Sequence, residues 1–268
     1  MASHKFFITL PSNVQSPSYH VNIPSHFITN LASPLHLPNN EYEVALVEVS
    51  FPLIYHNVYF EIGTFYVRFT TADGTSVKET LHIPEQWYGS VVELVEGINK
   101  QFPSSFKGRL AIKGVRSRRR VNMMIYDLES IKFHPTVANM LGFDRHVLKF
   151  DFRNSVIDKV SKVRVTRHAA ERDPNIRASL FNVYIYTNIV EDQIVGNQLV
   201  PLLRTISFEG KSGEYVHKIF DSPHYLNLST DTIQHIEVKL ATDLGSLIHF
   251  ETGKVIVKLH FRKKHFWL

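Results

Sequence analysis

A chain of 268 residues, 44% hydrophobic and 21% charged, has enough apolar material for a sizeable core, and this excludes disorder as its dominant state. Thirty Lys and Arg against 25 Asp and Glu give a formal charge of +5, too mild for general nucleic-acid binding, which needs a dense cationic stripe. The lack of cysteine excludes disulfides and Cys-based zinc sites, and no run approaches the ~18 apolar residues of a membrane span, so neither secretion by the usual route nor membrane insertion is expected.

The first ~40 residues combine short apolar runs (Phe6-Phe7-Ile8, Tyr19 to Ile23) with prolines at 11, 17, 24, 34 and 38. Proline removes a ladder donor, so these read as short or edge strands joined by irregular loops. From Tyr42 to Phe51 a strand is expected. Tyr42, Val44 and Leu46 alternate with Glu43, Ala45 and Val47, then the pattern blurs at Glu48 and Val49 before Pro52 stops it.

Between Thr64 and Asp144 the pattern changes. Phe65 to Thr71, an Asp73-Gly74 turn and Val77 to Ile83 predict a hairpin. Ser90 as N-cap, then Val91, Leu94, Val95 and Ile98 at helical spacing with Pro103 beyond, predict a helix. Strands at Arg109 to Gly114 and Arg120 to Tyr126, then Ile131 to Phe133, precede a short helix, Pro135 to Leu141, capped by Gly142. The stretch reads as a small α+β unit.

From Val160 the chain returns to strands: Val163 to Thr166, Leu180 to Ile189, Leu202 to Phe208, Tyr215 to Phe220, Ile233 to Leu240 and Lys254 to Arg262. The last two alternate cleanly, as when one face packs on a core and the other is wet. Leu180 to Tyr186 is apolar on both faces and is expected to be central or at a subunit contact. The fold class is mainly β, a β-sandwich or jelly roll with an inserted small α+β unit. Residues 1–62 and 158–268 are assigned to the sandwich and 63–157 to the insert; two consecutive domains would leave the N-terminal strands without partners.

Chemistry-bearing patterns are sparse. Fifteen histidines contain no His-x-His, and scattered solvated histidines account for them better than a metal site. Gly210-Lys211-Ser212 lacks the leading glycine of a phosphate loop, since Thr205 stands there, and reads as a hairpin loop from Glu209 to Gly213. Glu191 and Asp192 follow an apolar strand, and neighbours on a strand point to opposite faces, so solvation or a subunit contact fits better than acid–base work. The sequon Asn227-Leu228-Ser229 has no secretory context. Arg116, Arg118, Arg119 and Arg120 form the sharpest charge cluster; a weak polyanion or nucleic-acid contact and a solvated turn both explain it, and a jelly-roll binding module recognising a glycan or polyanion is the alternative function it offers. Arg262-Lys263-Lys264 beside Phe266 and Trp267 reads as a docking tail or a frayed end. No catalytic, metal or cofactor residue is assigned.

The run from Asn182 to Asn197, continuing through Val200-Pro201-Leu202-Leu203-Arg204, resembles the penton-type minor capsid protein of polinton/maverick (adintovirus-like) elements. Matches in the same order are Pro223 to Leu226, Ser229 to Ile233, Leu240 to Gly245 and Gly253 to Lys264; Ile83-Pro84, Tyr88, Leu94, Ile98-Asn99 and Leu141-Gly142-Phe143 are also similar. The resemblance implies a structural, non-enzymatic protein. It further implies a single jelly roll forming a homopentamer at the fivefold vertices of an icosahedral capsid, beside a double-jelly-roll major capsid protein. Such a protein would reside in the virion after assembly in the host nucleus or cytoplasm. Asn188, Glu191, Asp192, Gln193 and Asn197 are the candidate subunit-contact residues, because polar side chains there interrupt apolar strands.

Overall fold

The computed structural model describes residues 5–14, 21–71, 73–103, 110–114, 120–126, 128–151, 156–157, 164–178, 180–243 and 245–264. Three strands open the chain: β1 (Lys5–Pro11), β2 (His26–His36) and β3 (Tyr42–Pro52). A mixed stretch follows: α1 (Phe60–Gly63), β4 (Thr64–Thr70), β5 (Ser76–His82), α2 (Val91–Lys100), β6 (Leu110–Gly114), β7 (Val121–Ile125), β8 (Ser130–Lys132), α3 (Pro135–Leu141), β9 (Val147–Lys149), β10 (Val156–Ile157) and β11 (Arg164–Ala169). The rest is strand again: β12 (Asn182–Thr187), β13 (Gln193–Val195), β14 (Gln198–Val200), β15 (Leu202–Ser207), β16 (Tyr215–Ile219), β17 (Leu226–Asn227), β18 (Thr232–Ala241) and β19 (Ile256–Lys263).

Eight of these strands pair as one nested antiparallel ribbon: β1 with β19, β2 with β18, β3 with β16, and β12 with β15. Rolled up, the ribbon gives two sheets ordered β1-β19-β3-β16 and β15-β12-β18-β2, the connectivity of a jelly roll. Inward positions fill its core: Leu10, Phe27, Val44, Leu46, Phe51, Val183, Ile185, Ile236, Val238, Leu240, Val257, Leu259 and Phe261. β12 lies centrally between β15 and β18; Val183, Ile185 and Thr187 are buried on one face, while Tyr184 and Tyr186 on the other are half-buried.

Bulges explain where the sequence pattern blurs. Opposite β19, Lys258 pairs with Glu48 but Leu259 pairs with Leu46, so Val47 is an extra residue. That shift moves the buried set of β3 from Val44 and Leu46 to Val49 and Phe51. On β2, Leu35 pairs with Ile233 and Asn30 with His235, so residues 31–34, Pro34 among them, bulge from the ladder. β2 is thus an edge strand, one of the two options the prolines left open, but at eleven residues it is not a short one. Glu209 to Gly213 is not a hairpin loop: β15 and β16 lie in opposite sheets, and the segment crosses between them.

Contacts divide the chain into two compact units, Met1–Tyr55 with Leu180–Leu268, and His56–Ser179. These joints differ from the expected ones at 62/63 and 157/158, because α1 packs on α3 and β11 pairs with β7. The second unit has two four-stranded sheets, β5-β4-β8-β9 and β10-β11-β7-β6, and one core that includes Phe65, Phe69, Leu94, Ile98, Met123, Phe133, Met140 and Leu141. Ser90 caps α2: its Oγ accepts from Glu93 N at 3.3 Å while Glu93 Oε2 accepts from Gly89 N at 2.8 Å. Helix α3 starts with Pro135 and ends at Gly142, whose φ is 88°.

Asn57, 1% exposed, fastens this unit internally. Its Oδ1 accepts from Tyr88 N at 2.8 Å, and its Nδ2 donates to Tyr88 O at 3.0 Å and to Ile176 O at 3.3 Å. Replacing Asn57 with Ala strands those backbone groups, and urea unfolding is expected to lose about 2 kcal/mol.

Candidate functional site

The connection from β12 to β15 is too elaborate for a simple sandwich turn. Where β12 stops, Asn188 continues its ladder with its side chain: Oδ1 accepts from Glu237 N at 2.8 Å, and Nδ2 donates to His235 O at 3.3 Å. An amide carries both a donor and an acceptor, so it serves as a backbone surrogate here. Beyond it the chain is zipped to the segment before β18. Ser229 Oγ donates to Asn188 O at 3.0 Å, Ser229 N to Ile189 O at 3.0 Å, and Glu191 N to Asn227 O at 3.1 Å. Asn227 Nδ2 then donates to Glu191 Oε2 at 2.9 Å. The buried Ile189, Val190 and Leu228 form the apolar floor under these bonds.

From this braced base a two-stranded hairpin projects. β13 and β14 pair with each other and with no strand of either sheet among the described residues. Gly196, at φ 63°, turns the corner. Gln193 Nε2 donates to Leu202 O and ties the hairpin back to the start of β15. Ile194 and Leu199 stand directly opposite each other, 79% and 67% exposed. The braced arm thus carries an apolar pair that is left in water.

The five candidate contact residues therefore divide. Asn188, Glu191 and Gln193 spend their polar groups inside the chain, bracing the hairpin. Asp192 and Asn197 are exposed. Ile194 and Leu199 are not among the candidates, which are all polar; Gly196-Asn197 between Ile194-Val195 and Leu199-Val200 is the hairpin signal that marks them.

A charged cluster strengthens the neighbouring strands. Glu237 Oε1 sits 2.6 Å from His26 Nε2 and 2.9 Å from Lys239 Nζ, tying edge strand β2 to β18. Burial works against ionisation of Glu237, but hydrogen bonds from Lys239 and His26 outweigh it and hold its carboxyl below the ordinary range. A depressed folded value means the stabilisation is full above the unfolded value and is lost as pH falls through the folded one. Glu237→Gln is thus expected to cost about 1 kcal/mol near neutrality, and its difference from the parent closes below about pH 4 in urea titrations at stepped pH.

Of the arginine cluster, Arg116, Arg118 and Arg119 lie outside the described residues. Arg120 is exposed, its Nε 4.0 Å from Asp173 Oδ1. The second basic cluster is engaged internally. Arg262 meets Glu43 at 2.6 Å, Lys263 meets Glu41 at 2.8 Å, and Lys264 Nζ donates to Asn39 O at 3.0 Å. Among the described residues, no group of three or more His, Asp or Glu is placed to hold a metal ion, and no helix is long and apolar enough to cross a membrane.

No family model matches the chain, and no curated protein matches it. Among solved structures it is similar to the mavirus penton protein, from a crystal structure of the selenomethionine-labelled form, with 11% identity, a TM-score of 0.45, and 97% of this chain and 100% of that chain covered. It is also similar to a chain of the Sputnik virophage solved by electron cryo-microscopy, with 12% identity, a TM-score of 0.46, and 97% and 98% covered.

Proposed function

We propose that this chain is a structural minor capsid subunit of penton type, five copies of which close a ring at each fivefold vertex of an icosahedral shell, beside a double-jelly-roll major capsid protein. One observation carries the reading. The segment from Thr187 to Asn197, which resembles the polinton/maverick minor capsid family in sequence, folds on a jelly roll as a braced arm with an exposed apolar pair.

The sheet edges support the same reading. A closed ring needs heterologous contacts, in which one flank of a subunit meets a different flank of the next. β1 and β16 are opposite edges of one sheet, and each turns apolar side chains to water: Phe7, 57% exposed, on β1, and Tyr215 and Ile219, 52% and 65% exposed, on β16. Co-expression with a double-jelly-roll major capsid protein, followed by electron microscopy, tests the assignment. Closed shells with this chain's density at the vertices are expected; shells that close identically with and without the chain would sink it.

Reversing the charges at Glu191 and Asp192 separates arm from base. Glu191 is occupied by its own Asn227, so the double lysine variant is expected to lose about 1 kcal/mol of stability and only part of its vertex occupancy. Occupancy counted in the same micrographs, with a parallel thermal melt, reads both.

A further inference from the structure

The outward faces of the jelly roll balance their charges: Lys258 meets Glu48 at 3.1 Å and Arg262 meets Glu43 at 2.6 Å across strands, and Lys239 meets Glu237 at 2.9 Å along β18. The outward face of the β5-β4-β8-β9 sheet, in the other unit, is built differently. Strand register sets Lys78, Arg68, Ser130 and Lys149 in one row across all four strands. The adjacent row is Thr80, Tyr66, Lys132 and Val147. Strands lie about 4.8 Å apart, so four cations occupy a strip roughly 14 Å wide.

Alternation fixes which way these residues point. Phe65, Val67, Phe69, Ile131 and Leu148 turn inward to the core, which leaves Arg68, Lys78, Lys132 and Lys149 exposed on the other side. Arg68 and Lys78 are direct cross-strand partners, an arrangement of like charges that weakens a sheet. Lys78 leans over Tyr66, its Nζ 4.0 Å from the ring centroid. The two rows border a groove of about 250 Å³, and among the described residues no carboxylate lines it. Glu129 stands at the margin, accepting from Thr70 and Ser76.

We infer that this groove binds a sulfated polysaccharide, with Arg68, Lys132 and Lys149 taking the sulfate groups and Ser130 and Tyr66 taking hydroxyls. A face that sets cation against cation gains stability when an external anion fills it, and the planar guanidinium of Arg68 takes two oxygens of one tetrahedral anion. Nucleic acid fits less well. Single strands are held by stacking bases on open aromatic rings, whereas the ring of Tyr66 is covered by Lys78. The site involves none of the residues assigned to the capsid contact and stands or falls apart from that role.

The test uses the full chain and a fluorescent heparin oligosaccharide, with affinity measured across a salt series. Binding is expected, and the combined variant Arg68→Ser, Lys132→Ser, Lys149→Ser should weaken it at least tenfold and flatten the slope of log affinity against log salt by about two to three. Arg120→Ser should leave it unchanged. All the replaced side chains are exposed, so thermal melts of the variants should match the parent or, where Arg68 no longer opposes Lys78, lie slightly above it; the single variant Lys149→Glu provides a milder check. Equal binding by the triple variant, or equal binding of fully desulfated heparin, overturns the inference. Single-stranded or duplex DNA of the same charge binding as tightly, and lost in the same variant, would make this a nucleic-acid face and equally overturn the sulfated-glycan assignment.

Discussion

Replacing Ile194 and Leu199 together by aspartate is expected to leave the melting temperature within about 2 °C of the parent while removing the chain from capsid vertices. Both side chains are largely in water, so the isolated subunit loses only their mutual cross-strand contact, in a hairpin that pairs with neither sheet among the described residues. In an assembly each would bury a side chain worth about 1.5–3 kcal/mol, and a carboxylate in the same place must be desolvated without a partner. The loss recurs at every contact around a ring. Differential scanning fluorimetry paired with vertex occupancy in micrographs of co-expressed shells measures the two arms separately. Normal occupancy with both aspartates present would show that the hairpin is not a contact surface.

The second large effect lies in the α+β unit. Gly142 ends α3 at φ 88°, and a Cβ built there falls 2.3 Å from Arg172 O. That oxygen belongs to a backbone held in place, since Arg172 N donates to Gly142 O at 2.9 Å and Arg172 Nε meets Asp144 Oδ1 at 2.5 Å. Gly142→Ala therefore carries the left-handed backbone penalty together with a clash that no rotamer relieves, about 3 kcal/mol in all. Hydrogen exchange is the sharper measurement: protection should fall across His56–Ser179 and hold in β18 and β19. Uniform loss across the whole chain would contradict the division into two units.

Much of the sandwich was readable because β19 buries every second residue from Val257 to Phe261 and β18 does so from Ile236 to Leu240. The blur at Glu48 and Val49 is the bulge at Val47, which a single sequence cannot separate from a strand end. β2 was hidden by Pro34, which sits in an excursion from the ladder and so does not break it. The β13–β14 hairpin was harder to read, because strands of three residues facing water leave no core periodicity. The basic groove was harder still. Arg68, Lys78, Lys132 and Lys149 are scattered in sequence, and only the pairing register of four strands brings them together.

The nested pairing has a consequence during synthesis. β1 finds its partner only when β19 has been made, and β2 must wait for β18, so the sheets cannot close while most of the chain is still emerging from the ribosome. The unit from His56 to Ser179 has no such dependence, since all the strand partners of β4 to β11 lie within it. It is positioned to finish first and to leave the N-terminal strands exposed meanwhile. Translation speed between residues 180 and 256 then sets how long those unpaired edges stay open to the wrong neighbour.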